Sequence, residues 1–187
     1  MIISNKEIDY IVHDTDNVRG FYDTYGWASN FFNCAIFLDG NFFPTTENGY
    51  MYSKLDLRCK NEKWTCEIDG ESFNHAKLLE RFQTIKPNAA KKLGRKIPLR
   101  PDWDEVKYDI MSAVVFDKFY RHMDLRLALL ASGNKYFEET NHWNDTYWGV
   151  CNGVGANNLG RIIMDVRSYW ASKYPELLAK PIPTKVF

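Results

Sequence analysis

Two acidic residues stand where a carboxylate could do chemistry. Glu47 follows Pro44-Thr45-Thr46, and Lys54 comes seven residues later. Thr45 or Thr46 can cap a helix starting near Glu47, and the helix dipole favours an ionised carboxylate in that first turn. Seven residues are about two helical turns, so Glu47 and Lys54 can share a face. A carboxylate and an ammonium together could hold a sugar and a phosphate. Taken alone, Glu47 also reads as a capping residue and Lys54 as part of a solvated face. Asp145 lies in a polar stretch, three residues before Trp148-Gly149. Gly153-Val154-Gly155 and Asn157 follow, ahead of a helix. Glycines there let backbone approach a ligand, and a helix N-terminus offers N–H groups to an anion. No strand of a βαβ unit precedes them, so this is not a dinucleotide fingerprint.

A second group of candidates is basic and aromatic. Lys86, Lys91, Lys92, Arg95, Lys96 and Arg100 come before any acid, the first being Asp102. Such a patch in a neutral chain can take a phosphate, or it can be a solvated surface. Trp103 closes it. A Trp that opens a helix is a core residue or a stacking face for a planar ring. Asn30, in Ser29-Asn30-Phe31, is either turn chemistry or a polar contact ahead of the first hairpin.

The elements that must position these residues are mainly helical. Asp39-Gly40 and Asp69-Gly70 supply the positive φ of tight hairpins, one joining 35–38 to 41–43 and the other joining 64–68 to 71–73. Helices are predicted from about Glu47, over His75–Ile85, and over Asn88–Leu93 ending at Gly94. Trp103–Tyr120 has helical apolar spacing at Val106, Ile110, Ala113, Val114, Phe116, Phe119 and Tyr120. Asp124 is placed as the cap of Leu125–Ala131, with Gly133 beyond its end, and Leu159–Tyr174 is the last helix, closed by Pro175. Lys180-Pro181-Ile182-Pro183 reads as extended. The stretch Asn141–Asn158 reads as a long functional loop.

Bulk properties narrow the class. The 187 residues suit a single domain over 1–187. With 45% hydrophobic residues the chain can offset its ordering entropy. Zero formal charge argues against bulk nucleic-acid binding. The four cysteines lack C-x-x-C spacing and the four histidines do not cluster with them, which predicts no metal site. The start lacks the layout of a secretory signal, and the uncharged stretch Tyr25–Leu38 is short of the ~18 apolar residues of a spanning helix. The expectation is a cytoplasmic protein with reduced thiols and no membrane partner.

The ordered set of motifs resembles the NADAR (NAD- and ADP-ribose-associated), or YbiA-like, family. It comprises Ser29-Asn30-Phe31, Asp39-Gly40, Pro44-Thr45-Thr46-Glu47, Lys54, Gly94-Arg95, Pro98-Leu99-Arg100, Trp103, Val106-Lys107, Leu125-Arg126, Leu129-Leu130-Ala131, Asn144-Asp145, Tyr147-Trp148-Gly149, Gly155, Asn157, Leu159-Gly160 and Met164-Val166-Arg167. It covers about 21–170, leaving 171–187 as a C-terminal tail. The resemblance implies a mainly α, multi-helical single domain with one or two small β-hairpins. It also implies hydrolysis of an N-glycosidic bond to ribose. The implied substrates are phosphorylated ribosylamino-pyrimidines or -uracils of riboflavin biosynthesis, or ADP-ribosylated guanine, whether free or in nucleic acid. Glu47 and Asp145 match the family's acidic site residues, and Trp103 and Trp148 its tryptophans. Asn48 stands where the family often has His, and Asn158 where it commonly has Arg.

On that basis Glu47 stabilises positive charge on the sugar or activates water, and Asp145 helps the leaving nitrogen take a proton. The exchanged assignment also satisfies the pattern. Trp103 and Trp148 flank the base or sugar. Lys54, Arg95 and the amides near Asn157 hold phosphate, with Asn30 and Gly149 completing the contacts. The scheme uses no metal and no cofactor. The competing reading is a module that binds ADP-ribose or a related nucleotide without turnover.

Overall fold

The computed structural model describes residues 17–61 and 63–175. The chain divides into two compact units, Asn30–Arg121 and the combination of Met1–Ser29 with His122–Phe187. The extended reading of Lys180–Pro183 lies outside the described residues.

The Asn30–Arg121 unit contains the two expected hairpins. In the first, β2 (Ile36–Leu38) pairs antiparallel with β3 (Asn41–Phe43); in the second, β4 (Cys66–Ile68) pairs with β5 (Glu71–Phe73). Asp39 and Gly40 have φ of 48° and 81°, and Asp69 and Gly70 have 54° and 79°. These are the double positive values of a tight two-residue turn. Helix α1 (Thr46–Tyr52) follows the first hairpin directly, and after the second come α2 (His75–Thr84), α3 (Pro87–Leu93) and the long α4 (Trp103–Arg121). Pro87 opens α3, a position that wastes no hydrogen bond. Gly94 ends α3 with an ordinary right-handed φ of −63°, so it is not a left-handed cap.

The apolar side of α4 carries Met111, Val114, Val115 and Phe119 into the core. Lys118 lies on the same side and is only 1% exposed. Its ammonium sits 5.6 Å from the rings of both Phe32 and Phe119. Burial pulls its pKa down from 10.5 to about 8, with the Cys34 thiol opposing the fall. The unfolded chain then binds more protons than the folded one between those two values. Folding stability carried by Lys118 should therefore rise with pH over that window, by about 3 kcal/mol. Denaturant titration of the wild type and Lys118→Met from pH 7 to 10.5 checks this. The stability difference should move in favour of the wild type as pH rises, and a constant difference would contradict it.

In the other unit, β1 (Asn17–Arg19) pairs in parallel with β6 (Tyr136–Glu138). Asp23–Ala28 forms a 3-10 turn. Helix α5 spans Met123–Ala131, and its cap position is His122, which makes no side-chain capping bond. Asp124, expected to be the cap, lies inside the first turn, where a carboxylate still suits the helix dipole. The last helix, α6, is Asn158–Lys173. The stretch 141–158 is less irregular than expected, because β7 (Thr140–Asn141) pairs in parallel with β8 (Val150–Cys151). The described chain is mainly helical, with four two-stranded pairings. No helix among the described residues is long and apolar enough to cross a membrane. Cys34, Cys66 and Cys151 are free thiols.

Candidate functional site

Glu47 occupies the first turn of α1 and is 4% exposed. The cap of that helix is Thr45, whose hydroxyl accepts the Asn48 amide at 3.2 Å and donates to Asn48 Oδ1 at 2.6 Å. Asn48 Nδ2 donates to the carbonyls of Phe82 and Ile85, both at 2.8 Å. Asn48 therefore ties the start of α1 to the end of α2, and its polar atoms are spent inside the unit. The Glu47 amide donates to the Asn30 carbonyl at 2.9 Å. Asn30 is itself buried, and its Nδ2 donates to the Met111 sulfur at 3.4 Å. Capping is thus the work of Thr45, which leaves the Glu47 side chain free of that duty.

Helix α1 stops at Tyr52, one residue before its cap Ser53. Lys54 therefore sits in the turn beyond the helix, not two full helical turns along it. Its carbonyl accepts the Arg100 amide at 2.9 Å, and the Asp56 amide reaches the Pro98 carbonyl at 3.1 Å. These bonds, with the Leu55–Leu99 bridge, fasten Lys54 beside the segment that leads into Trp103. The Lys54 ammonium lies 5.4 Å from the Trp103 ring centroid. Tyr50 packs on that ring from α1, with centroids 5.1 Å apart. Trp103 is 7% exposed.

Burial lowers the Lys54 pKa, the Glu47 charge opposes that fall, and Arg95, Lys91 and Lys107 add to it. Lys54 thus stands among three other cations and one carboxylate. Lys91 and Arg95 come from α3 and the turn after it, one helical turn apart. Lys107 is one turn into α4, paired with Asp104 at 2.6 Å. Lys91 also lies 5.7 Å over the Phe31 ring. The structure gathers Glu47, Lys54, Arg95, Trp103 and Asn30 into one unit, and adds Tyr50, Lys91, Lys107 and Phe31. Lys91 stood in the basic patch of the sequence. Tyr50 could have been found from its position three residues after Glu47, one helical turn along.

Asp145, Trp148, Gly149 and Asn157 belong to the other unit. Asp145 is half-buried, and its Oδ1 accepts the Trp148 amide at 2.9 Å, closing a turn. Asn141, fully buried, organises this loop. Its Oδ1 accepts the amides of Trp143 and Asp145, and its Nδ2 donates to the carbonyls of Asp145 and Val150. Nothing in the sequence marked Asn141, because its partners are backbone groups of the loop that it shapes. Tyr147 and Trp148 meet edge to face at 4.8 Å.

Asn157 has a left-handed φ of 52° just before α6. Its Oδ1 accepts the Glu139 amide, and its Nδ2 donates to the Phe137 carbonyl and the Tyr136 hydroxyl. The amides of Asn157, Asn158 and Leu159 donate to the carbonyls of Gly149, Tyr147 and Trp148. These were the groups expected to receive phosphate, and the loop already uses them. The Asn157 side chain positions the loop in the same way.

Comparison with known proteins identifies the family. Residues 17–170 match the NADAR domain family, a span that runs through both units. The chain is 34% identical over 178 residues to N-glycosidase YbiA of Shigella flexneri, covering 91% of this chain and 98% of that one. It is 29% identical over 147 residues to a riboflavin biosynthesis protein of Vibrio vulnificus, covering 78% of this chain and 35% of that one. The NMR structure of the Escherichia coli protein YbiA is similar with a TM-score of 0.66 and 32% identity, covering 86% of this chain and 89% of that one.

Proposed function

The chain belongs to the NADAR family, and from that premise we propose that it is an N-glycosidase that hydrolyses the C–N bond between ribose and a base or amine. The observation that carries the reading is the buried Glu47 carboxylate, whose charge acts on Lys54, with the Lys54 ammonium over the Trp103 ring and Tyr50 packed on that ring. Breaking a ribosyl C–N bond leaves positive charge on the sugar, and a buried carboxylate stabilises that charge or takes a proton from the attacking water. Aromatic faces suit a planar base. Arg95, Lys91 and Lys54 suit a phosphate.

Asp145 is the proposed second carboxylate. Its turn with Trp148 leaves Oδ2 for a proton or a ligand, and Trp148 and Gly149 are proposed substrate contacts. Asn30 and Asn157 are proposed to act through positioning, Asn30 by holding the Glu47 amide and Asn157 by holding the loop. The relatives named for riboflavin biosynthesis support a phosphorylated ribosylamino-pyrimidine or -uracil as substrate, and ADP-ribosylated guanine is the second candidate. Incubating the protein with each and measuring released base decides between them. Release from one and not the other names the substrate class. Tight binding of ADP-ribose with no base released from either would replace the enzyme with a binding module.

A further inference from the structure

We propose that His75 is an acid-sensitive clip on the helix that carries Glu47, and that protonating it loosens the candidate site. As regulation of that site the inference rests on the Glu47 reading, but the clip itself has readouts that do not.

Tyr52, the last residue of α1, is buried, and its hydroxyl shares a 2.8 Å hydrogen bond with His75 Nε2. The Tyr52 ring packs on Phe43 of β3 and Phe82 of α2, with centroids 5.1 and 6.0 Å apart. His75 opens α2. The other end of α2 is tied to the start of α1, where Asn48, next to Glu47, donates to the Phe82 and Ile85 carbonyls. Gln83 of α2 also donates to the Phe42 carbonyl of β3, the strand that runs into α1. Helix α2 is therefore a brace fastened to both ends of α1. Of the side chains that make these fastenings, only the His75 imidazole titrates close to neutral pH.

The surroundings of His75 disfavour its charged form. The ring is half-buried at the first position of a helix, where the dipole opposes a cation. Lys60, from the 3-10 turn Leu57–Lys60, adds a like charge. Of the elements packed on α2, α1 offers the Tyr52 hydroxyl and, at its far end, Glu47; β5 offers Glu71, and β3 has no titratable group. Glu71 is already engaged by Lys77 and Arg81 of α2, at 3.1 and 3.8 Å. Burial first, and Lys60 second, hold the His75 pKa below its ordinary 6.5, and no carboxylate among the described residues offsets them. The unfolded chain therefore binds more protons than the folded one as pH drops below 6.5. Stability carried by neutral His75 is complete above that value and is lost as pH falls through the lowered pKa. Whichever nitrogen holds the proton of the neutral ring, a second proton sets a cation at the N-terminus of α2 beside Lys60.

His75→Gln tests the clip, because an amide can still bond the Tyr52 hydroxyl and does not titrate. Urea unfolding should be followed from about pH 7.5 down to about pH 5. The wild-type midpoint should fall faster than that of His75→Gln. Proton NMR of the folded wild type should show the His75 ring, identified as the signal moved by Tyr52→Phe, titrating below 6.5. Over the same acid range wild-type kcat on the N-ribosyl substrate should drop severalfold more than that of the variant, and should recover on return to neutral pH. Midpoints that fall in parallel, or a His75 ring that titrates at or above 6.5, would overturn the clip. Parallel kcat profiles would overturn its control of the site. No released base from the wild type at any pH would sink the N-glycosidase reading and that control with it, while the urea and NMR results would still decide the clip.

Discussion

Glu47→Gln should lower kcat on the true N-ribosyl substrate by about 10²–10⁴ while leaving the fold in place. The size follows from what the amide cannot do. It is isosteric, but it neither carries the negative charge that opposes an oxocarbenium-like sugar nor accepts a proton from water. The fold should survive because the backbone anchors of this residue do not involve its carboxylate. Its amide donates to the Asn30 carbonyl, and Thr45 with Asn48 fixes the helix start. Thermal melting should therefore be nearly unchanged, or shift upward, since a neutral group costs less to bury than a carboxylate. Substrate binding measured on the same variant should remain, because Lys54, Arg95, Lys91 and the Trp103 ring are intact. Turnover near that of the wild type would exclude Glu47 from the reacting centre. A large loss of binding with kcat retained would make it a ligand contact.

How much of this could be read beforehand depends on how local the cause is. The two hairpins were legible because Asp39-Gly40 and Asp69-Gly70 each need positive φ at both positions, a requirement met within two residues. The long helix from Trp103 was legible because its apolar positions repeat at helical spacing over many residues. Glu47 and Lys54 read as a pair in the sequence, though for a reason the structure revises. They are neighbours because Arg100 and Pro98 fasten the turn after α1, not because a helix continues through both. Asn48, Asn141 and Asn157 were opaque, since their value lies in backbone groups whose positions only the fold supplies. Asn48 could be read as a substitution at a site position, yet its side chain is spent tying α1 to α2. Lys118 carries a usable signal. Met111, Val114 and Val115 precede it by seven, four and three residues, which places its ammonium on the apolar face. The parallel pairing of β1 with β6 joins segments far apart in the chain, and no local pattern reports it.

Gly155→Ala should be the most damaging small substitution in the loop that carries Asp145 and Trp148. A Cβ built at Gly155 would stand 2.0 Å from the Gly149 carbonyl oxygen and 3.0 Å from Val150 Cα. Both are backbone atoms, so no side chain can turn aside to make room. Gly149 has no room to give, because a Cβ on it would lie 2.1 Å from the Glu139 carbonyl. The same Gly149 carbonyl accepts the Asn157 amide, and the Tyr147 and Trp148 carbonyls accept the next two amides. Displacing it therefore disturbs the turn and the start of α6 together. Overpacking and strain of this kind cost about 3 kcal/mol, which for a chain of this length lowers Tm by roughly 6–12 °C. Gly153→Ala is the control. Its φ of +79° disfavours a side chain, but the added methyl meets nothing within 4 Å. That variant should lose only about 1 kcal/mol. If the loop is part of the working site, Gly155→Ala should also reduce turnover beyond what its lower stability explains, when assayed well below its Tm. A Gly155→Ala protein as stable as Gly153→Ala would mean that the backbone contact at Gly149 yields readily. Loss of stability with normal turnover would leave Asp145 and Trp148 outside the chemistry.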